Sequence, residues 1–336
     1  MARVAINGLG RIGRATLKLI LDAPDLELVA ANDLVDPENL AYLLNYDTVY
    51  GRYEKRVEPA GDALTIDGER LRLFKEKDPA QLPWKDLGVD IVFECTGVFT
   101  DKEGMEKHLS AGAKQGILSA PAKGEGFEWV VYGVNQPSEN ARLITCASCT
   151  TNSIAPVMEI LGRRLGVRKA TMTSLHAYTS SQAIVDGPAS KVRRGRAGAA
   201  NLVPTTTGAA KATSKVIQEL EGRFDGVAIR APLPVGSISD IVLVTERETS
   251  VDEVVGILEE EARGDRYNGI MGAVHDPIVS SDIIKDPRPS IVDLEMTQVV
   301  GGDLVKVMAW YDNEWGYSAQ MLRTAQFLAR RPAGVG

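Results

Sequence analysis

A glycine-rich turn near the start of the chain constrains its fold more than any other feature. Residues 3–7 predict a short buried strand, the sequence Gly-Leu-Gly-Arg-Ile-Gly follows at 8–13, and a helix is predicted from about 11 to 23. A second apolar run occupies 26–31. A strand, a helix and a second strand within about 30 residues make a βαβ unit, which requires a parallel sheet.

The three glycines of this turn predict a dinucleotide site. In such a turn Gly8 permits the tight bend, Gly10 lets a pyrophosphate approach the backbone, and Gly13 allows the helix to pack on the strand. The phosphates would lie at the helix N-terminus, where free amides and the helix dipole favour anions. Asp33 follows the second strand, where its carboxylate can bond the adenosine ribose and repel a 2′-phosphate. NAD is therefore predicted, and the alternative is a glycine turn in another α/β protein with Asp33 as a helix cap.

Two patterns of apolar residues divide the rest of the chain. Before about residue 150, short buried strands are predicted at 64–66, 71–74, 91–95, 117–119 and 143–145, with a helix near 101–111. Beyond it, longer alternating strands are predicted at 170–178, 227–231, 238–246, 292–298 and 304–310, with helices near 152–165, 209–221, 251–263 and 315–329. We predict an α/β protein, with an N-terminal Rossmann-type parallel-sheet domain over 1–148 and a mixed, largely antiparallel α+β catalytic domain over 149–313.

Composition excludes several classes of protein. The chain has 336 residues, a formal net charge of −7 and 44% hydrophobic residues. A general nucleic-acid binder usually carries a basic field, and a membrane span needs roughly 20 apolar residues. Three cysteines are too few for a secreted disulfide framework. We therefore expect a cytoplasmic protein with no signal peptide, no membrane partner, no metal site and no nucleic acid as its primary partner.

Cys149 is the predicted nucleophile. It lies between a predicted strand and a predicted helix, and a cysteine at a helix N-terminus has its thiolate stabilised. Pro156 is awkward in a helix that starts at Cys149, so the helix is predicted either to kink or to begin later. Among the three histidines, His176 at a strand end is the best partner for the sulfur, and His108 and His275 are predicted to be surface residues.

Two alternatives to a catalytic cysteine remain at this point. Cys149 could be a buried structural thiol, with His176 as an ordinary strand-end histidine. Cys146 and Cys149 could instead form a redox or metal pair, although a tetrahedral zinc site would need ligands from elsewhere. The segment 180–201 fits neither helical nor strand periodicity and carries four cations, which invites an RNA-binding interpretation.

The chain resembles glyceraldehyde-3-phosphate dehydrogenase over its whole length. The stretch Ala-Ser-Cys-Thr-Thr-Asn at 147–152 is close to that family's active-site signature. Ser-Ala-Pro-Ala at 119–122, Thr-Thr-Thr-Gly-Ala-Ala-Lys at 205–211 and Trp-Tyr-Asp-Asn-Glu-Trp-Gly-Tyr at 310–317 agree in order and spacing. The resemblance implies oxidation of glyceraldehyde 3-phosphate with NAD and inorganic phosphate through a thioester on Cys149, with His176 as acid and base. It also implies a homotetramer in which segment 180–200 packs at a subunit interface, and a C-terminal helix (314–330) that returns to the cofactor domain.

The resemblance also assigns binding residues. The expected cofactor contacts are Asn7, Gly8, Gly10, Arg11, Ile12, Gly13, Asp33, Ser119, Asn313 and Tyr317. The expected contacts for the two phosphates are Ser148, Thr150, Thr179, Arg194, Thr207, Gly208 and Arg230. The chain departs from the family pattern at Cys146, Ser153, Ser180-Ser181 and Leu233. A sister enzyme acting on erythrose 4-phosphate, or a non-catalytic dinucleotide or RNA binder, are the alternative functions.

Overall fold

The computed structural model describes residues 1–330 and divides them into two units. The first unit comprises Met1–Tyr132, Gln136–Ala147 and the described residues from Ser318 onward. The second comprises Gly133–Asn135 and Ser148–Tyr317.

A nine-stranded sheet forms the first unit. Its helices are α1 (Arg11–Leu21), α2 (Pro37–Asn45) and α3 (Lys102–Ser110), with a 3-10 helix at Pro79–Gln81. The eleven strands described in this unit, nine of them in the large sheet, are β1 (Ala2–Asn7), β2 (Leu26–Asn32), β3 (Tyr46–Asp47), β4 (Gly51–Arg52), β5 (Val57–Pro59), β6 (Ala63–Ile66), β7 (Glu69–Phe74), β8 (Ile91–Glu94), β9 (Gln115–Leu118), β10 (Glu128–Trp129) and β11 (Leu143–Thr145). The order is β10-β11-β9-β8-β1-β2-β7-β6-β5, with β3 and β4 forming a separate ribbon.

The pairing in this sheet confirms the predicted parallel architecture. Strands β10, β11, β9, β8, β1, β2 and β7 pair in parallel, and only β5, β6 and β7 form an antiparallel edge. Both faces of the central strand β1 are covered, as in other parallel sheets, so its apolar residues Val4, Ala5 and Ile6 are fully buried. The carboxyl ends of β8, β1 and β2 therefore lie side by side, at the edge where such sheets bind ligands.

A seven-stranded, mostly antiparallel sheet forms the second unit. Its helices are α4 (Cys149–Leu165), α5 (Ala209–Val216), α6 (Val251–Arg263) and α7 (Trp315–Ala329), and α7 continues into the first unit from Ser318. Its strands are β12 (Val167–Ala177), β13 (Val203–Thr206), β14 (Phe224–Ala231), β15 (Ser237–Thr245), β16 (Met271–Val274), β17 (Ser290–Val300) and β18 (Leu304–Tyr311). The order is β13-β14-β12-β15-β18-β17-β16, with parallel pairing only in β12/β14 and β16/β17.

Two details of the helices correct the sequence-based picture. The predicted helix at 209–221 ends at Val216, and residues 218–220 form a separate 3-10 helix. Helix α4 begins at Cys149 and contains Pro156, so the later start is wrong. Pro156 lies in the eighth position, where it removes one helical N–H, and the buried apolar side chains around it hold the helix together.

Candidate active site

The three glycines of the turn differ in the space around them. A Cβ at Gly8, whose φ is +92°, would lie 2.8 Å from the nitrogen of Thr96, and one at Gly13 would lie 1.9 Å from the oxygen of Gly8. Gly10, by contrast, has no heavy atom within 4 Å of the position of a Cβ. The first and third glycines are therefore required by packing, and the second leaves the open approach that a pyrophosphate needs.

Asp33 lies beside this turn and shapes it. Its Oδ2 accepts a hydrogen bond from the nitrogen of Leu9 at 2.6 Å, and its Oδ1 accepts one from Val35 at 2.9 Å. Arg11, at the start of α1, pairs with Asp47 and lies over the ring of Tyr50. The carboxylate predicted to bind the ribose thus also holds the backbone of the loop that would carry the phosphates.

Two other predicted cofactor residues end neighbouring strands. Asn7 closes β1 and is 1% exposed, so its side chain acts on the turn through protein partners. Its Nδ2 donates to Oε2 of Glu94 at 2.6 Å, and its Oδ1 accepts from Asn32 at 2.7 Å. Ser119 follows β9, and its nitrogen donates to the carbonyl of Glu94 at 3.0 Å.

The structure overturns the prediction that His108 is a surface residue, because its side chain is fully buried. The residue lies on the face of α3 that also carries Gly104 and Met105, and this face packs inward. Its Nδ1 accepts a hydrogen bond from the indole nitrogen of Trp84 at 3.0 Å, and its Nε2 lies 3.0 Å from Oε2 of Glu94. A buried polar ring needs such partners, and sequence periodicity over a nine-residue helix did not reveal them.

Cys149 and His176 lie within contact distance in the second unit. Ser148 caps α4, and its Oγ accepts a hydrogen bond from the nitrogen of Thr151 at 3.1 Å, so that Cys149 occupies the first helical position. His176 is the penultimate residue of β12 and is buried. The Sγ of Cys149 lies 3.3 Å from Nε2 of His176. A proton can therefore pass directly between sulfur and imidazole.

Burial dominates the ionisation of this pair. It raises the pKa of the Cys149 thiol, against the lowering effects of the Arg230 charge and of hydrogen bonds from Thr150. The backbone N–H groups at the start of α4 lower this pKa, as expected for a helix N-terminus, but the effect of burial is larger. Burial, followed by the charge of Arg230, also lowers the pKa of His176 to about 3. Both shifts favour the uncharged forms, a thiol on Cys149 and a neutral imidazole on His176.

Arg230 contacts the far side of the imidazole. Its Nη1 lies 2.8 Å from Nδ1 of His176 and donates to the carbonyl of Ala177 at 2.8 Å. The same carbonyl lies 2.7 Å from Nδ1. The register of β12 and β14 produces this arrangement, since His176 is paired directly with Arg230. The guanidinium is well placed to influence both the imidazole and the sulfur behind it.

A chain of hydroxyl groups supports Thr150, one of the predicted phosphate contacts. The Tyr311 hydroxyl lies 2.9 Å from Oγ1 of Thr150 and 2.8 Å from Oγ of Ser174. The Tyr311 ring meets the His176 ring edge-on, with the centroids 6.0 Å apart. Sequence reasoning missed Tyr311, although it lies within the Trp-Tyr-Asp-Asn-Glu block that carries the resemblance.

A second polar chain connects two other predicted phosphate contacts. Oγ1 of Thr179 lies 2.9 Å from Oγ of Ser181, which accepts a hydrogen bond from Nη1 of Arg194 at 3.3 Å. Nε of Arg194 donates to Oγ1 of Thr205 at 3.0 Å. Ser181 was noted in the sequence only as a departure from the family pattern, and here it connects Thr179 to Arg194.

The remaining predicted contacts lie on loops and helix starts of the second unit. Thr207 accepts a hydrogen bond from the nitrogen of Ala209 at 3.1 Å, and Gly208 is the N-cap of α5. Oδ1 of Asn313 accepts from the nitrogen of Gly236 at 3.1 Å. Tyr317 is buried in α7.

Within residues 1–330, other candidate chemistry is limited. The three cysteines are free thiols, and no group of three or more His, Cys, Asp or Glu side chains is arranged to hold a metal. Burial raises the pKa of Cys146 to about 12, and its sulfur lies 3.7 Å from Oγ1 of Thr324. The exposed His275, which pairs with Glu259, confirms the prediction of a surface residue. No helix of this described part has the length and apolar character to cross a membrane.

Comparison with known proteins identifies the family. Residues 2–102 match the NAD binding domain of glyceraldehyde 3-phosphate dehydrogenase, and residues 148–313 match its C-terminal domain. The chain is 49% identical over 334 residues to glyceraldehyde-3-phosphate dehydrogenase of Thermotoga maritima, with 98% of this chain and 100% of that one covered. It is 45% identical over 334 residues to glyceraldehyde-3-phosphate dehydrogenase 2 of Streptomyces avermitilis, with 98% and 99% covered. The chain therefore belongs to the glyceraldehyde-3-phosphate dehydrogenase family, as an enzyme that uses NAD.

Proposed function

We propose that this chain catalyses the glycolytic oxidation of glyceraldehyde 3-phosphate to 1,3-bisphosphoglycerate, with NAD+ and inorganic phosphate, through a thioester on Cys149. The observation that carries the proposal is the 3.3 Å separation between Sγ of Cys149 and Nε2 of His176. We assign the chemistry to the domain 149–313 and cofactor binding to the domain 1–148, with the C-terminal helix as part of the latter.

In the first half of the reaction Cys149 becomes covalently bound to the substrate. Its thiol proton passes to Nε2 of His176 while the sulfur bonds to the aldehyde carbon, and the carbonyl electron pair moves onto oxygen. His176 then donates its proton to that oxygen and takes it back as the carbon loses a hydride. NAD+, when bound, supplies the hydride acceptor. The product of this half is a thioester and a proton released through His176.

In the second half inorganic phosphate breaks the thioester. An oxygen of hydrogen phosphate bonds to the thioester carbon while the phosphate proton passes to His176; the C–S bond breaks, and Cys149 leaves with the electron pair and takes that proton from His176. Ser148, Thr150, Thr207 and Gly208 would hold this phosphate through hydroxyl and backbone N–H groups. Arg194 would supply positive charge at this site. Arg230 and Thr179 would orient the phosphate already on the substrate, because the guanidinium fork matches phosphate oxygens.

For the cofactor, the glycine turn would receive the pyrophosphate and Asp33 the adenosine ribose. The open space at Gly10 supports the first assignment, and the position of Asp33 beside Leu9 supports the second. Asn7, Arg11, Ile12 and Ser119 would complete the site on the first unit, with Asn313 and Tyr317 at the nicotinamide.

Absorbance of NADH tests this function directly. We expect glyceraldehyde 3-phosphate and NAD+ to give sustained NADH formation only when inorganic phosphate is present, and a stoichiometric burst without it. Sustained turnover without phosphate would point to a hydrolytic aldehyde dehydrogenase instead. The Cys149→Ser variant should bind NAD with unchanged affinity and give neither burst nor turnover.

We further propose a homotetramer in a reducing, cytoplasmic compartment. The segment 180–200 and the adjoining Leu202 support the assembly, because Ile184, Val185, Val192 and Leu202 are 86%, 75%, 83% and 67% exposed. Apolar side chains clustered in this way usually mark an interface. Sedimentation of the Ile184→Asp/Val192→Asp variant should show smaller species than the wild type, and an unchanged mass would exclude this interface. The free thiols support the compartment, which a fluorescent fusion would locate.

A further inference from the structure

The buried carboxylate of Glu94 has no part in the proposed chemistry, yet it lies directly below the cofactor turn. Glu94 ends β8 and is fully buried. Its Oε1 accepts hydrogen bonds from the nitrogen of Thr96 at 2.7 Å and from the Thr96 hydroxyl. Its Oε2 accepts from Asn7 at 2.6 Å and lies 3.0 Å from Nε2 of His108. Both oxygens are thus engaged by donors from three different segments.

The hydrogen-bond partners fix the tautomer of His108, the histidine in this cluster. The indole nitrogen of Trp84 can only donate, so Nδ1 of His108 must accept its hydrogen bond. The proton of the neutral imidazole is then on Nε2, where it can only donate to Glu94. Glu94 thus accepts from the N–H groups of Asn7 and His108 at Oε2 and from the N–H of Thr96 at Oε1.

This cluster connects the three strand ends that carry the turn. Asn7 immediately precedes Gly8, and its Oδ1 accepts a hydrogen bond from Asn32 at the end of β2. The carbonyl of Asn32 in turn accepts from the nitrogen of Gly8 at 2.8 Å. On the other side, the nitrogen of Thr96 lies against Gly8, 2.8 Å from the position that a Cβ would take. Any shift of Asn7 or Thr96 therefore moves the first glycine of the turn.

We propose that Glu94 is a positioning residue for NAD: its carboxylate, fixed by His108 and Trp84, holds the ends of β1 and β8 at the spacing that the glycine turn requires. The inference rests on the NAD site of the proposed function but on none of its chemistry. A hydrogen bond to a charged, buried acceptor is worth more than one between neutral groups, and four of them converge here. Cofactor affinity should therefore depend on the charge of Glu94 as well as on its shape.

Glu94→Gln tests the proposal with almost no change of volume. If the NH₂ group of the new amide replaces Oε2, it opposes the donors of Asn7 and His108, and if it replaces Oε1, it opposes the N–H of Thr96. The first orientation would displace Asn7, and the second would displace Thr96, and each of these residues lies against Gly8. We expect the Kd for NAD, measured by calorimetry on the full chain, to rise by between about tenfold and a hundredfold, with kcat at saturating NAD changed by less than about threefold.

Glu159→Gln is the matched control in the second unit. Glu159 is also a mostly buried carboxylate with several donors, from Arg163, Arg266 and Tyr267. We expect Glu159→Gln to lower Tm as Glu94→Gln does, while leaving the Kd for NAD unchanged. If Glu94→Gln also lowers Tm without changing that Kd, Glu94 is only a structural residue and the proposal is overturned.

Trp84→Phe, combined with Glu94→Gln, provides a second test that distinguishes a positioning role of Glu94 from a purely structural one. Without the indole donor, His108 can move its proton to Nδ1 and accept at Nε2 from the amide that Glu94→Gln introduces. Adding Trp84→Phe to Glu94→Gln should therefore recover about threefold to tenfold of the lost NAD affinity, although it also opens a small cavity. Further loss in the double variant would contradict the assigned proton positions and with them the proposal.

His108 variants keep the proposal testable if Glu94→Gln does not fold. His108→Gln can still donate to Glu94 and accept from Trp84, whereas His108→Leu can do neither. We expect a Kd for NAD within about threefold of wild type for His108→Gln and a rise of about tenfold for His108→Leu. Equal affinities in the two variants would overturn the proposal. Because the deciding readout in each test is the equilibrium Kd for NAD, these outcomes do not depend on whether the chain oxidises glyceraldehyde 3-phosphate.

Discussion

Arg230 reaches Nδ1 of His176 at 2.8 Å, while the opposite nitrogen of the same ring lies 3.3 Å from the sulfur of Cys149. A guanidinium can only donate, so this contact requires an unprotonated Nδ1 and a proton on Nε2. The carbonyl of Ala177, 2.7 Å from Nδ1, favours the opposite tautomer. Arg230 and Ala177 thus compete for the imidazole, and in the proposed mechanism His176 acts as a base only when Nδ1 carries the proton.

The charge of Arg230 is predicted to lower the pKa of Cys149 and so offset part of the effect of burial. Arg230 is the largest influence that lowers the pKa of this thiol, and removing a nearby cation raises a thiol pKa. In Arg230→Gln the midpoint of iodoacetamide alkylation of Cys149 should therefore move to higher pH, by about one unit. Alkylation rates measured across pH, with mass spectrometry to assign the modified cysteine, provide the test.

Two variants control this experiment. Arg230→Lys keeps the cation and should keep the midpoint near that of wild type. Arg168→Gln removes an exposed arginine from the other end of the same strand as His176, where it pairs with Asp303. A midpoint that is the same in Arg230→Gln and Arg168→Gln would show that Arg230 does not act on the sulfur.

His176 should make the protein less stable in acid. Its pKa is lowered to about 3 in the folded chain, chiefly by burial and then by Arg230, against about 6.5 when unfolded. Above about pH 6.5 neither state binds the proton, so there is no effect. As the pH falls from there towards 3, only the unfolded state binds it, and the free energy of unfolding falls by up to about 1.4 kcal/mol per pH unit. Denaturant titrations at several pH values should show that the free energy of unfolding falls less steeply with decreasing pH in His176→Gln than in the wild type. Equal slopes in the two proteins would contradict the lowered pKa of His176.

Tyr311 is predicted to support phosphate binding through Thr150. Tyr311→Phe removes the hydroxyl between Thr150 and Ser174, which should cost about 1–3 kcal/mol of stability and raise the KM for inorganic phosphate by about threefold to tenfold. Tyr267→Phe is the control, since it removes a comparable buried hydrogen bond, to Glu159 at 2.7 Å. Steady-state kinetics should show a KM effect only in the first variant, and an equal effect in both would exclude a specific role for Tyr311.

Asp33 is predicted to select NAD over NADP through its charge. Asp33→Asn keeps an oxygen that can accept from Leu9 but removes the repulsion of a 2′-phosphate, so kcat/KM with NADP relative to NAD should rise by about tenfold. Asp33→Gly should relax the preference too, but at the expense of NAD affinity, because Leu9 loses its partner. Asp36→Asn changes a nearby exposed carboxylate and should leave the ratio unchanged. A wild type that uses both cofactors equally would contradict this account.

The sequence predicted those parts of the fold that depend on local pattern. The strands on either side of the glycine turn and the hairpin at Gly301-Gly302 follow from apolar periodicity and turn chemistry, and both are confirmed. His108 shows where this reasoning stops, because a histidine on a short helix has no periodic signal to distinguish a buried partner from solvent. Its partners Trp84 and Glu94 lie 24 and 14 residues away in sequence.

The same limit applies to the candidate site. The type and order of residues around Cys149 predicted its chemistry, and the position of His176 at the end of a predicted strand marked it as the partner of the sulfur. The pKa of the cysteine was not predictable, since the cost of burial exceeds the benefit of a helix N-terminus only in the packed structure. Tyr311, Ser181 and Glu94 act through long-range hydrogen bonds, which depend on sheet register and loop geometry rather than on local sequence.

Trapping the acyl-enzyme tests the central claim most directly. Enzyme mixed with glyceraldehyde 3-phosphate and NAD+ without inorganic phosphate, then quenched in acid and digested, should carry a 3-phosphoglyceryl thioester on the peptide that contains Cys149. Adding phosphate before the quench should remove it. An NADH burst with no adduct on Cys149, or with the adduct on Cys95 or Cys146, would contradict a mechanism built on the sulfur beside His176.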